Sequence, residues 1–285
     1  MTSIGEKFRK LRKEQNITLT QASKGICDPS NLSRWENDKI TLEFNKVLAL
    51  LNRIHVTPTE FINYAKLKQE NEIPQEYIEA INKEDNTQIK TLALKQLKIY
   101  HNKRKIYDLY LAIILCNQYL LITGENLLPF QDQMHLYTYL SKITIWTSWD
   151  LSFFGNCVFM IKPDKVHAIA MNVLHNHSLA DQDVNNLMVM LGILGDATIS
   201  LIFRKDVIHA QKLLNEIKAI EMPHYLEFFT LVFTFLEKVI QYTKTHDKQI
   251  VLTFIETIQN LGMIKSTNIF IDIFKHVQVL TDYLA

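Results

Sequence analysis

The chain of 285 residues carries 31 Lys and Arg against 30 Asp and Glu, a net charge of +1 that by itself points to no class of partner. Seven glycines and six prolines are far fewer than average usage gives, which argues against a sheet-rich fold, because hairpins need such residues at fixed places. With 47% hydrophobic residues and no glycine-rich phosphate loop, G-x-S-x-G or H-E-x-x-H segment, the sequence predicts an all-α protein with a large core, no enzyme activity and no cofactor.

Positive charge gathers at the front, where residues 1–70 hold 12 Lys and Arg against 8 Asp and Glu. Three S/T-x-x-E/Q capping boxes, Ser3 with Glu6, Thr18 with Gln21 and Thr57 with Glu60, mark helix starts, since each satisfies two free backbone donors. Asp28-Pro29 and Thr57-Pro58 add prolines at first helical positions, where a missing N–H is harmless. Helices are therefore expected over 3–15, 18–25, 29–37, 41–52 and 57–70. Apolar positions such as Phe8, Leu11, Leu32, Trp35, Leu51 and Phe61 draw the five into a small bundle. The short turn Gly25–Asp28 between the second and third makes a helix-turn-helix, whose second helix enters the DNA major groove. Leu32 and Trp35 would point inward. Ser30, Asn31 and Arg34 would begin the groove-facing side, with Ser33, Thr18, Gln21, Lys39 and Arg12 as further DNA contacts; Asn suits adenine edges and Arg suits guanine or phosphate.

The run TLTQASKGICDPSNLSRWENDK resembles the helix-turn-helix of the Rgg (Rgg/GadR/MutR) family, Gram-positive bacterial regulators that sense short peptide pheromones. Ser30-x-Leu32-Ser33-Arg34-Trp35-Glu36 follows the family's S-x-L-S-R-[FW]-E, Val56-Thr57-Pro58-Thr59-Glu60-Phe61 its fifth-helix start, and Phe8-Arg9-Lys10-Leu11-Arg12 its opening helix. Asp38 stands where the pattern usually has Gly, and Ala22-Ser23 where a larger residue followed by Ala is common. The resemblance implies an XRE-type DNA-binding domain over 1–70.

From about residue 74 the chain reads as amphipathic helices over 74–84, 86–102, 104–122, 130–147, 148–161, 163–177, 181–204, 206–221, 223–243, 246–261 and 263–284. Paired, they recur about every 33–44 residues, the period of stacked tetratricopeptide-like hairpins. A right-handed superhelix of such hairpins, ending in a capping helix over 263–284, is expected for 71–285. Ile145-Trp146-Thr147-Ser148-Trp149-Asp150-Leu151-Ser152-Phe153-Phe154-Gly155-Asn156 resembles the family's W-x-x-[YW]-[ED]-L-x-L-F-x-N segment, with Asp for the commoner Glu. The resemblance implies a pheromone groove on the concave face. An extended peptide brings unpaired backbone groups that Asn can satisfy, so Asn117 and Asn156, 39 residues apart, and Asn186 are its candidate partners. Tyr110, Trp149, Met190 and Phe233 would supply apolar pockets, and Arg204 would meet a peptide carboxylate. The last helix is apolar on more than one face, which points to a homodimer interface.

The runs near Leu111 and Leu187 are interrupted by Asn117, Gln118, Gly195 and Asp196, so no segment is expected to span a membrane and the protein is expected in the cytoplasm. Cys27, Cys116 and Cys157 are expected as buried reduced thiols. His175 and His177 are two apart, which faces them away from each other on a helix, so no metal is expected. The reading is a dimeric transcriptional regulator that binds promoter DNA and answers to a short hydrophobic peptide. The alternative is a ligand-independent helix-turn-helix repressor whose repeat domain serves only oligomerisation.

Overall fold

The computed structural model describes residues 3–67, 73–176 and 184–282, and every described element is helical. The boundary expected at residue 70, the gap expected between 177 and 181, His177 and the helix end at Leu284 lie outside the described residues. The chain divides into two units, Met1–Glu72 and Ile73–Ala285.

The first unit holds α1 (Ile4–Glu14), α2 (Leu19–Ser23), α3 (Pro29–Glu36), α4 (Phe44–Arg53) and α5 (Pro58–Ala65). The Thr18–Gln21 and Thr57–Glu60 boxes are complete, whereas at Ser3 only the side-chain bond to the Glu6 N–H forms. Asp28 caps α3 through the Ser30 N–H, with Pro29 in the first turn. Phe8, Ala22, Leu32, Leu50 and Phe61 meet in the centre. Gly5 lets α1 and α3 touch: a Cβ there would stand 2.0 Å from the Trp35 carbonyl oxygen.

The second unit runs α6 (Gln75–Asn82), α7 (Asn86–Lys103), α8 (Ile106–Thr123), α9 (Phe130–Leu140), α10 (Ser148–Gly155), α11 (Pro163–His175), α12 (Val184–Phe203), α13 (Val207–Lys218), α14 (Glu227–Thr245), α15 (Gln249–Asn260) and α16 (Ile264–Asp282). The helices expected over 130–147 and 148–161 are shorter. Thr147 is extended (ψ 164°) and forms a capping box with Asp150, which forces a new helix start and leaves 141–147 as a connection. Gly155 then brings α10 against α12, since a Cβ there would lie 2.9 Å from Ile193 Cγ1.

Successive hairpins stack in two layers. In one, α10 packs on α12 and α12 on α14; in the other, α11 packs on α13. Helix α12 also touches α16, two hairpins further on. Helices that far apart meet only where their layer curls towards itself, so the α12–α14–α16 side is concave.

Both α8 and α12 are long and apolar enough to cross a membrane by length and composition, because two or three small or polar residues barely dilute such runs. More than half of each is buried inside the unit. A helix that is apolar all round is a core helix wherever neighbours enclose it, and α12 is flanked by α10, α11, α13, α14 and α16.

Candidate DNA-reading helix and ligand cleft

On α3 the inside and the outside separate cleanly. Leu32, Trp35 and Glu36 are buried, while Ser30, Asn31 and Arg34 are exposed and Ser33 is half-buried. Ser30 Oγ donates to Asp28 Oδ1 at 2.8 Å, so the hydroxyl turns its lone pairs outward. The same Ser30 hydrogen bonds, from backbone and side chain, hold the Asp28 carboxyl below its ordinary pKa. Thr18 and Gln21 are exposed, but the Thr18 hydroxyl and backbone N–H both donate to Gln21 Oε1, at 2.9 and 2.8 Å, which leaves the Gln21 amide N–H groups for a ligand. Lys39 is exposed just past α3, after Asp38, which adopts the left-handed conformation (φ 59°) that the usual Gly would take without strain.

Arg12 is corrected from a DNA contact to an internal brace. It is 5% exposed; Nε and Nη2 donate to the two carboxylate oxygens of Glu36 at 2.6 and 2.7 Å, and Nη1 donates to the Ile17 carbonyl at 2.6 Å. All of its recognition capacity is spent inward, pinning the end of α3 to α1. Two further braces were not foreseen from the sequence. Arg9 Nη1 donates to Asn37 Oδ1 at 2.9 Å, and Arg53 donates to the carbonyls of Gln21 and Lys24, both at 3.0 Å, closing the end of α2. Cys27 is half-buried and free.

In the repeat unit the residues expected to line a groove fare unevenly. Met190 and Phe233 are 1% and 2% exposed, and Tyr110 is sealed between Trp149 and Phe153, at ring distances of 5.2 and 5.3 Å. Tyr110 and Met190 are buried in the core, whereas Phe233, though almost fully buried, borders a cavity of about 220 Å³ with Ile217, Met222 and Thr230. Arg204 cannot offer a salt bridge to a carboxylate. Its guanidinium donates to the carbonyls of Val158, Ile161 and Ser200 and to Ser200 Oγ, closing the turn after α10. Burial lowers its pKa to about 10.

Trp149 remains half-buried within an aromatic cluster with Tyr110, Tyr139 and Phe153. Asn156 caps α10 and donates its amide to the Ser152 carbonyl at 2.8 Å, and Asn186 accepts from Ser148 Oγ. Asn117 differs: its Oδ1 is buried with no hydrogen-bond partner. The whole Trp146–Asn156 segment is thus largely a packing device. Trp146 Nε1 donates to Asn172 Oδ1 at 2.8 Å, Asp150 accepts from the Tyr139 hydroxyl at 3.0 Å, and Leu151, Phe153 and Phe154 are fully buried.

A cleft of about 210 Å³ opens instead between α12, α14 and α16. Its α12 wall carries Gly192, Gly195, Asp196 and Ile199, and Phe228, Val232, Ile269 and Ile273 face them. Phe228 and Ile269 are exposed. Asp196 is the one charged residue in this lining. It reaches solvent, yet the surrounding protein raises its pKa to about 6 by desolvation. The sequence did hold a signal, a Gly and an Asp four apart on an apolar helix (Gly192, Asp196), but Asp196 served there only as an interruption of an apolar run and Gly192 was not singled out. Among the described residues no group of three His, Cys, Asp or Glu is placed to hold a metal ion.

The family profile for the C-terminal domain of the HTH-type transcriptional regulator Rgg matches residues 93–270, more than half of the chain, and a helix-turn-helix profile matches residues 8–61. No curated protein matches the sequence. Among solved structures, the chain is similar to the SHP pheromone receptor Rgg2 of Streptococcus dysgalactiae, with a TM-score of 0.77 at 14% identity over 96% of this chain and 99% of that one. It is also similar to a bacterial peptide pheromone/receptor complex (TM-score 0.72, 14% identity, 98% and 99% covered). The PrgX/cCF10 complex is a third such structure (TM-score 0.72, 16% identity, 98% and 93% covered). At these identities the likeness concerns the fold.

Proposed function

The chain belongs to the Rgg family of HTH-type transcriptional regulators, and on that premise we propose that it binds promoter DNA as a dimer and is controlled in the cytoplasm by a short hydrophobic peptide held on the concave side of its repeat unit. The observation that carries the DNA half is the two-sided α3, with Leu32, Trp35 and Glu36 inside and Ser30, Asn31 and Arg34 outside. That geometry presents an amide, a hydroxyl and a guanidinium to base edges from a helix whose back is locked by Arg12. Lys39 and the Gln21 amide flank it and suit phosphates, which supply affinity without sequence information. Two copies of α3 are required by a pseudo-palindromic operator, and the exposed Ile264 and Val279 of α16 are apolar surface that a second copy would cover.

The peptide half is supported by what the structural neighbours are, a pheromone receptor and a peptide pheromone/receptor complex, and by the buried, unpartnered Oδ1 of Asn117, since a buried acceptor without a donor is costly until a ligand satisfies it. Trp149, Asn156 and Asn186 are the other residues we propose to take part, each exchanging an internal contact for one to the peptide. Control requires that the peptide bind two states of the dimer unequally.

The test is fluorescence anisotropy on DNA from upstream of the protein's own gene, with and without short apolar peptides. Arg34→Ala is expected to weaken specific binding about 10- to 100-fold, the worth of one good base contact, with the helical content unchanged. Specific binding that no peptide alters would replace peptide control with the ligand-independent repressor. Sequence-blind, salt-sensitive binding alone would remove the DNA-reading role of α3.

A further inference from the structure

The cleft between α12, α14 and α16 has a chemical character that a purely hydrophobic ligand does not match. Its walls are aliphatic and aromatic, apart from Ser266 and the carboxyl of Asp196. No hydrogen bond or salt bridge engages Asp196, and no neighbouring cation lowers its pKa; desolvation alone shifts it upward. Asp196 reaches solvent, yet its apolar neighbours leave the carboxylate less well solvated than in water, and a cation brought beside it would stabilise it. One turn earlier stands Gly192, on the same face of α12. A Cβ at Gly192 would meet nothing within 4 Å, so no neighbour in the protein requires the glycine there. Glycine in a helix interior is destabilising relative to alanine, and what its missing side chain leaves is room beside Asp196.

We infer that this cleft takes the positively charged group of the peptide, its α-ammonium or a Lys or Arg side chain flanked by aliphatic residues, with Asp196 as the counter-charge and Gly192 as the space the adjoining residue fills. The inference rests on the peptide reading above and gives that peptide a charge. Arg204, the cation the sequence offered for a peptide carboxylate, is consumed by backbone carbonyls, and the one charge in the lining of the cleft is that of Asp196. About 210 Å³ accommodates one or two residues, and the rest of the peptide lies beyond it along the concave side. Ammonium and guanidinium share the recognition chemistry, a charge-assisted hydrogen bond to one carboxylate strengthened by apolar walls.

The test uses the full-length protein and C-terminally fluorescein-labelled heptapeptides composed of Leu, Ile, Val and Ser, read by anisotropy at pH 7.5. Each is made in three forms: free N-terminus, N-acetylated, and N-acetylated with one internal Lys. At least one cationic form should bind about tenfold more tightly than the neutral form, and which one identifies the source of the charge. Asp196→Asn should erase that preference. Gly192→Leu, whose Cβ meets no protein atom within 4 Å, should weaken all three forms. Equal binding of the three forms, a preference that survives Asp196→Asn, or wild-type affinity in Gly192→Leu overturns the inference and leaves the peptide reading in place. No binding of any form by the wild-type protein removes that reading and the inference together.

Discussion

Arg12 in the N-terminal unit and Asp196 in the repeat unit are both charged groups in apolar surroundings, and the two units treat them in opposite ways. Arg12 is met on every donor that matters, by both oxygens of Glu36 and by the Ile17 carbonyl. Asp196 faces a cleft with no cation and carries a raised pKa. A buried charge that is paired acts on its own fold, here by pinning the end of α3 to α1. A charge left unpaired beside open volume is available to something that comes from outside. The glycines follow the same division: Gly5 is required by a backbone that would otherwise collide, and Gly192 by nothing within the protein.

The largest expected effect breaks the paired side. Glu36→Leu leaves the Arg12 guanidinium buried and alone, and should destabilise the N-terminal unit by about 3–5 kcal/mol, read as an early melting step and loss of DNA binding. The double variant Arg12→Met/Glu36→Leu should recover most of that, since two apolar side chains replace the pair; failure to recover would mean the bonds to Glu36 and Ile17 are not what the single variant lost. Next comes Gly5→Ala. Its methyl would stand 2.0 Å from a backbone oxygen that cannot swing away, so α1 and α3 must separate, at a cost of about 3 kcal/mol by chemical denaturation.

Smaller effects of opposite sign are expected across the cleft. Gly192→Ala should stabilise the repeat unit by about 0.5–1 kcal/mol, because the helix gains propensity and the methyl meets no neighbour. Destabilisation would show that the position is packed after all. The smallest effect is that of Asp196→Asn, and it depends on pH. The folded state raises this carboxyl to about 6 from its ordinary 3.8, so between those values the folded protein binds the proton that the unfolded chain has released. Stability is therefore full below about pH 4, falls as pH rises through 6 and stays lower above it. No other charged residue from α12, α14 or α16 lines the cleft to offset this. Asparagine, which never ionises, should raise the melting temperature at pH 7.5 and leave it unchanged at pH 4.

Features governed by neighbours in sequence were legible beforehand. The caps at Thr18, Asp28 and Thr57 are contacts between residues two or three apart, and the inside and outside of α3 follow from a 3.6-residue period applied to Leu32 and Trp35 against Asn31 and Arg34. The start at Ser148 was legible as well, but the Thr147 box has Asp where Glu or Gln is usual, and the preceding helix was carried up to Thr147 instead of ending at Leu140. The misassigned residues share a different cause. Arg12 meets Glu36, 24 positions away, and Arg204 meets carbonyls of Val158 and Ile161, 46 and 43 positions away. A long cationic side chain on a helix looks the same in sequence whether it reaches water, a phosphate or the end of another helix. Tyr110 and Met190 were misplaced because every face of α8 and α12 is largely apolar, so periodicity cannot say which face stays open.

By itself the sequence determined the class of the protein. Its scarcity of turn residues, its local helix starts and its helical periods dictate an all-α chain with a small helix-turn-helix bundle ahead of stacked hairpins, since each of these is settled by residues within a turn or two of one another. Only the tertiary structure decided which charges are free. That depends on what the fold brings to within 3 Å of a side chain, and the folded chain supplies partners for Arg12 and Arg204 while leaving Asp196 to face a cleft.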